Sequence, residues 1–284
     1  MAEAPVSRGF VDLAEGQVHL RQARGPDGGS ARPLVMLHAS PGSSQALVPL
    51  IAALGATRRV VAPDTLGNGD SAPPATAKPD IAAYADATRG VLDALGIDRV
   101  DLYGSHTGAS IAMELAIAAP ERVGGLVIDC MGLYDAAQQA ELLSDYAPEM
   151  APDPHGRHLV WAWHFVRDQA LFWPWFKHDA AHRRATAPPP PAALHAEVLE
   201  VLKALGTYHL SYRAAFRHPK RDRLPLIPVP TLVTANRHDI LFASLDEVAG
   251  LVPGAIKTET PGTLTPDDTR ATAQTIASFL DGVV

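Results

Sequence analysis

The chain has 284 residues, enough for one large α/β domain carrying an inserted segment. Its residues are 47% apolar, and its formal charge is −7 with a pI of about 5.9. Without a basic cluster, that balance argues against nucleic acid as a partner, and no apolar run approaches the ~18 residues of a membrane span.

One cysteine, Cys130, cannot form an internal disulfide, so a reducing compartment, the cytoplasm, is expected. The start, Met1 to Arg8, has no apolar stretch of the secretory type. No C-x-x-C, H-E-x-x-H, Walker-type loop or dinucleotide fingerprint occurs, so no metal and no cofactor is expected.

In chain order, Phe10–Leu13 and Gln17–Gln22 alternate around Glu15-Gly16 and predict an antiparallel hairpin at a sheet edge. Pro26–Ser30 predicts a turn. Leu34–His38 is a continuous apolar run, the pattern of a strand covered on both faces. After the turn His38-Ala39-Ser40-Pro41-Gly42, a helix is expected over Ser44–Leu54. Arg59–Pro63 predicts a strand, followed by the Gly-rich loop Asp64–Ser71 and a helix over Ile81–Leu95 that ends at Gly96. Arg99–Tyr103 and Val123–Asp129 predict buried strands, with a helix between them that carries Ile111, Leu115 and Ala118 and stops before Pro120.

The alternation of strands and helices then stops from about Gly132 to Asp222. All four tryptophans lie in this stretch, together with many histidines and Phe165, Phe172 and Phe176. Pro188–Pro191 predicts a stiff spacer before a helix over Ala192–Leu205. Spacings such as His155/His158 and His178/His182 lack carboxylate partners in pattern, so they do not point to a metal. Val229–Ala235 resumes the sheet, and Ile256–Thr260 and Asp267–Leu280 predict the last strand and helix, after a helix over Ser244–Leu251.

One stretch organises the rest. Val100–Ala112 runs from an apolar strand through Gly104-Ser105-His106-Thr107-Gly108 into a helix of small residues. Strand, tight turn and helix in this order are the context of a nucleophile elbow, whose glycines let backbones approach closely around a strained residue. In this pattern the chain resembles the α/β-hydrolase superfamily. The resemblance implies an α/β-hydrolase fold: a mostly parallel twisted sheet with flanking helices, a core formed by residues 1–131 and 223–284, and a helical cap inserted at 132–222.

The resemblance also assigns roles, with departures. The elbow holds His106 where the family has Ser, Cys or Asp, and Ser105 lies one residue early. The turn at His38–Gly42 is similar to the family's oxyanion turn, which implies that the N–H groups of Ser40 and Thr107 hold an oxyanion. Asp239, in Asn236-Arg237-His238-Asp239, matches the family's acid, and Asp129 is the alternative acid. Thr263 stands where the family has its catalytic histidine. Space is therefore expected beside Asp239, into which the His106 ring can reach.

A cap needs an inner face, so His38, Trp161, Trp163, His164, Phe165, Trp173 and Trp175 are expected to contact a small, largely apolar carbonyl substrate. The resulting expectation is a cofactor-independent hydrolase, or a hydrolase-like lyase, with His106 as general base and no Ser-His-Asp triad. The alternative is a silent hydrolase-fold protein that binds a small molecule. The sequence leaves the oligomeric state open, a homodimer included.

Overall fold

A computed structural model describes residues 3–26 and 30–283. The turn expected at Pro26–Ser30 has its centre, Asp27 to Gly29, outside the described residues.

Strands β1 (Ser7–Leu13) and β2 (Gly16–Ala23) form the expected hairpin, with Leu13 opposite Gly16. β3 (Leu34–Leu37) leads through a 3-10 turn at Ser44–Leu47 into α1 (Val48–Leu54). β4 (Val60–Pro63) and α2 (Ile81–Ala94) follow. α2 starts where Asp80 accepts the Ala83 N–H at 2.9 Å, a side-chain cap on an otherwise orphan donor. β5 (Val100–Ser105), α3 (Thr107–Ala118) and β6 (Val123–Asp129) complete the first part of the sheet. The sheet has eight strands in the order β1-β2-β4-β3-β5-β6-β7-β8, where β7 is Thr231–Asn236 and β8 is Ile256–Thr260. Only the pairings of β1 with β2 and of β2 with β4 are antiparallel.

Alternation along each strand divides the core into two layers. Val35, Leu37, Leu102 and Ile128 face α2 and α3, whereas Leu34, Met36, Tyr103 and Val127 face α1 and the last helix. Burial on both faces is why these strands read as unbroken apolar runs. Each fully buried Leu or Val contributes about 1.5–3 kcal/mol relative to exposure. The sequence reading gave α3 one apolar face that included Ala118. Instead the helix is buried all round from Thr107 to Ala116, and Ala118 is exposed. Its small residues let it lie against β3 and β5 with no solvent face before its last two residues.

Between β6 and β7 the chain adds no strand to the sheet. It forms α4 (Ala136–Glu141), a π-turn at Leu142–Tyr146, α5 (Arg157–Leu171), α6 (Pro191–Lys203), α7 (Tyr208–Arg217) and the short α8 (Lys220–Arg223). This segment has its own apolar cluster, with Phe165, Val198, Tyr208, Tyr212 and Phe216 at its centre. After β7, α9 (Leu245–Leu251) and α10 (Pro266–Asp281) close the fold. Among the described residues, no helix is long and apolar enough to cross a membrane.

One ion-pair cluster ties the helical segment to the sheet layer. Glu114 of α3 accepts both Nε and Nη2 of Arg223 at 2.7 Å, and His218 Nε2 lies 3.1 Å from its Oε1. Burial would raise the Glu114 carboxyl, but His218 and Arg223 hold it down at about 2. The bidentate, buried geometry is the kind of ion pair that fixes position.

Candidate active site

The elbow is built by close backbone contact. A Cβ on Gly104 would sit 2.2 Å from the carbonyl oxygen of Gly108, and a Cβ on Gly108 would sit 2.2 Å from that of Leu37. Neither position accepts a side chain. Between them His106 has φ 53° and ψ −110°, a strained conformation for a non-glycine residue. Its N–H donates to the Asp129 carbonyl at 3.1 Å. His106 stands at the N-cap of α3 yet caps nothing with its side chain.

The His106 ring turns to Asp239, in the loop after β7. Nε2 lies 3.0 Å from Asp239 Oδ2, with both side chains partly exposed. Asp239 is itself fixed, because its Oδ1 accepts the Leu241 N–H at 2.8 Å. Burial would lower the His106 pKa, but the charge and hydrogen bond of Asp239, with Asp129 beyond, raise it above the usual imidazole value. Burial likewise pushes Asp239 up, and the facing imidazole overrides this and holds the carboxyl low. With Nε2–H donating to Asp239, the basic lone pair sits on Nδ1, which has no partner among the described residues.

His106 lines a front cavity of about 200 Å³, together with Ala39, Ser40 and Thr107 from the sheet side. The N–H groups of Ser40 and Thr107 have no hydrogen-bond partner among the described residues. The helical segment supplies Tyr134, Tyr146, Trp173, Tyr212, Phe216 and Lys220 to the same lining.

A second, rear cavity of about 200 Å³ lies behind the elbow and is lined by Ser105, Asp129, Cys130, Asp239 and Thr263. Ser105 lines this cavity and not the front one. Asp129 is engaged there: its Oδ2 accepts the Tyr103 hydroxyl at 2.5 Å and its Oδ1 accepts Cys130 Sγ at 3.3 Å. Burial raises the Asp129 carboxyl above its usual value, against the pull of the Tyr103 bond. No hydrogen bond joins Asp129 to the His106 ring among the described residues; Asp239 makes that contact.

Several expected substrate contacts lie elsewhere. His38 is 1% exposed, with Nδ1–H donating to the Ala39 carbonyl at 2.8 Å and Nε2 accepting the Thr65 N–H at 2.9 Å. Both ring nitrogens are spent on joining the turn to the Asp64 loop, so His38 is a buried brace and not a substrate contact. Of the expected aromatic residues, Trp173 alone lines the front cavity. Trp161 stacks on the buried Phe165, their centroids 4.8 Å apart, and both meet Tyr208. Trp175 donates Nε1–H to the Tyr146 carbonyl at 2.9 Å and packs edge-on to Phe165. Trp163 and His164 are exposed on the outer side of α5. The aromatic pile in the helical segment is mainly its own core.

The sequence reading missed Lys220. This side chain is 7% exposed, its ammonium lies over the Tyr134 ring at 5.2 Å, and burial pulls its pKa down to about 8, helped by Arg221. In the sequence it sits in the charged run Arg217–Arg223, which reads as a solvated surface.

Among the described residues, two groups bring three potential metal-ligand atoms within 4.8 Å of one another: His106, Cys130 and Asp239, and His19, Asp64 and Asp70. In the first, the His106 and Asp239 atoms bond each other and the thiol bonds Asp129. In the second, Asp64 accepts from His19, the Ser44 N–H and the Asp70 N–H, which makes it a loop anchor.

The sequence model of the alpha/beta hydrolase fold family matches residues 32–263. The chain belongs to the α/β-hydrolase family. Within it, a segment of 108 residues is 45% identical to a 2-hydroxymuconate semialdehyde hydrolase of Pseudomonas sp. (strain CF600), covering 36% of this chain and 37% of that protein. A segment of 135 residues is 38% identical to 2-hydroxy-6-oxononadienedioate/2-hydroxy-6-oxononatrienedioate hydrolase 2 of Pseudomonas putida, covering 45% of this chain and 46% of that one. The chain thus matches less than half the length of either relative. Among solved structures, the enol-lactonase from Burkholderia xenovorans LB400 superposes with a TM-score of 0.69 at 21% identity, over 96% of this chain and 100% of that one. A hydrolase from Pseudomonas aeruginosa PA01 gives 0.70 at 23%, over 96% and 98%. At these identities the structural matches establish the fold.

Proposed function

We propose that the chain is a cofactor-independent enzyme of the hydrolase type, acting on a small carbonyl compound with His106 as general base. The observation that carries this is the contact of His106 Nε2 with Asp239 at 3.0 Å, where His106 lines a cavity together with Ser40 and Thr107, whose N–H groups have no partner among the described residues. The chain itself supplies a base, a group that orients it and oxyanion donors. The helical segment at 132–222 acts as the cap over this site. Matches to proteins named as hydrolases of 2-hydroxymuconate semialdehyde and of a related oxo-dienedioate support bond cleavage next to a carbonyl.

In the proposed reaction, Nδ1 of His106 takes a proton from a water molecule. The water oxygen bonds to the carbonyl carbon, and the carbonyl electron pair moves onto its oxygen, where the two N–H groups stabilise it. When the intermediate collapses, the ester C–O bond or the adjacent C–C bond breaks, and His106 returns its proton to the leaving atom. Asp239 keeps the ring in one tautomer and stabilises the imidazolium. No covalent acyl-enzyme is required.

The test compares wild type with His106→Ala on p-nitrophenyl esters, enol-lactones and vinylogous 1,5-diketones. A base of this kind contributes about 10²–10⁴-fold, so His106→Ala should lose at least about 100-fold on the accepted substrate. Equal rates for the two proteins would overturn the proposal. The imidazole in place of a hydroxyl or thiol at the apex of the elbow, position 106, favours a second reading, a binding protein. Tight ligand binding with no turnover across the panel would establish it.

A further inference from the structure

The front cavity contains a charge that the chain does not neutralise. Lys220 is 7% exposed, and its ammonium makes no ion pair and no side-chain hydrogen bond among the described residues. Its contact is the face of Tyr134, which offsets only part of what an ammonium loses on leaving water. The neighbouring cations are all occupied. Arg221 bonds Glu247 at 2.7 Å and the Tyr134 carbonyl at 2.6 Å, Arg223 and His218 meet Glu114, and Arg217 bonds the Pro79 carbonyl at 3.2 Å.

The location of Lys220 makes this charge usable. It stands in the wall between the front cavity and a third one of about 270 Å³, whose lining includes Arg217, His218 and Arg221 with Asp222 as its carboxylate. Asp222 makes no ion pair with Lys220 among the described residues. His218 and Arg223, on either side of Lys220 in sequence, are anchored to Glu114 of α3, so the backbone that carries the amine is held in place. An unpaired, anchored cation facing a cavity is the arrangement that recognises an anion.

We propose that Lys220 holds a carboxylate of the substrate, so that the site prefers compact oxo acids to their neutral counterparts. This rests on the reading of the front cavity as a carbonyl-processing site. The carbonyl oxygen lies on the N–H groups of Ser40 and Thr107, beside His106, and the carboxylate lies on Lys220. In this role Lys220 is a specificity residue that touches the substrate and takes no part in bond breaking.

The experiment is calorimetric binding of 4-oxopentanoate and of its methyl ester at pH 6.5. Wild type should bind the acid at least about tenfold more tightly than the ester, the size expected of a charge-assisted contact. Lys220→Met should lose that preference and Lys220→Arg should keep most of it. The readout is binding without turnover, so that failure of the base proposal and failure of this one are separable. Equal binding of acid and ester by wild type, including no binding of either, would overturn the proposal, as would an undiminished preference in Lys220→Met. If Lys220→Met does not fold, wild type labelled by reductive ¹³C-methylation decides. Binding of 4-oxopentanoate should raise the Lys220 titration by about a unit or more, and no change would count against the idea. Borohydride reduction that fixes the acid on Lys220 would also overturn it, because the amine would then be forming an imine.

Discussion

His106 and Asp239 meet at 3.0 Å although β6 lies between the strands that carry them. The serine and the histidine of the usual triad are both missing, and one longer side chain at the elbow closes the gap to the acid directly. This relationship sets the first two expectations.

Activity should rise with pH through an imidazole titration above its usual value, because His106 works in its neutral form and Asp239 raises its pKa. Asp239→Asn removes the charge and leaves burial opposed only by the more distant Asp129, so the acid limb of the profile should move to lower pH while the plateau falls. The double variant with His106→Ala should lose little more than the worse single variant, since the two act as a unit. The pH dependence of kcat/KM for the four proteins checks this. A silent Asp239→Asn beside a damaging Asp129→Asn would show that the acid is wrongly assigned.

The same pair makes stability depend on pH. His106 is raised, so its contribution is present below its unfolded pKa and lost as pH rises through the folded one. Asp239 is lowered, so its contribution is present above its unfolded pKa and lost as pH falls through the folded one. The melting-temperature gap between wild type and Asp239→Asn should therefore peak in the mildly acidic window between the two. A gap that is flat from pH 4 to 8 would contradict the geometry.

Fluorophosphonate probes should leave the elbow unlabelled, because Ser105 lines the rear cavity with Asp129 and Thr263, away from the imidazole's open nitrogen. Intact mass and peptide mapping decide the matter. A stoichiometric adduct on Ser105 would require the turn to be shifted by one residue.

Gly108→Ala should be destabilising by about 3 kcal/mol or more, since its Cβ would lie 2.2 Å from a backbone oxygen and neither side can yield cheaply. Denaturant unfolding gives the value. A change under about 1 kcal/mol would mean that the elbow is looser than described.

Lys220→Met should raise stability below pH 8. A lysine held at about 8 when folded releases its proton early, and burying its charged form costs stability at lower pH. From the ordinary 10.5 to about 8, the cost is about 3 kcal/mol, and it disappears as pH rises through that interval. Unfolding at pH 6.5 and pH 10.5 measures the difference. Equal values for the two proteins at pH 6.5 would contradict a buried, unpaired ammonium.

The sheet was readable because strands covered on both faces, such as Leu34–Leu37, must be apolar throughout, and because the Gly104–Gly108 pair has one steric reason. The His106–Asp239 contact was readable only through the resemblance, as two departures that fit each other. The cavity wall was readable only in part, at Ser40, His106, Thr107 and Trp173. Trp161 and Phe165 are four residues apart and point inward together, while Trp163 and His164 face out, so a count of aromatic residues could not tell wall from core. The true lining joins Tyr134, Tyr146, Tyr212 and Lys220 from separate turns and helices, which no local periodicity connects.

The Glu114 anchor has a consequence for selection by size. Glu114 lies on the helix that begins just after His106, eight positions along, a rise of about 12 Å. The backbone around Lys220 is fastened to that helix, so the base and the backbone that carries the ammonium are referred to one helix. A shift of α5, whose Gln169 also lines the front cavity, would reshape that wall without moving either end of this span.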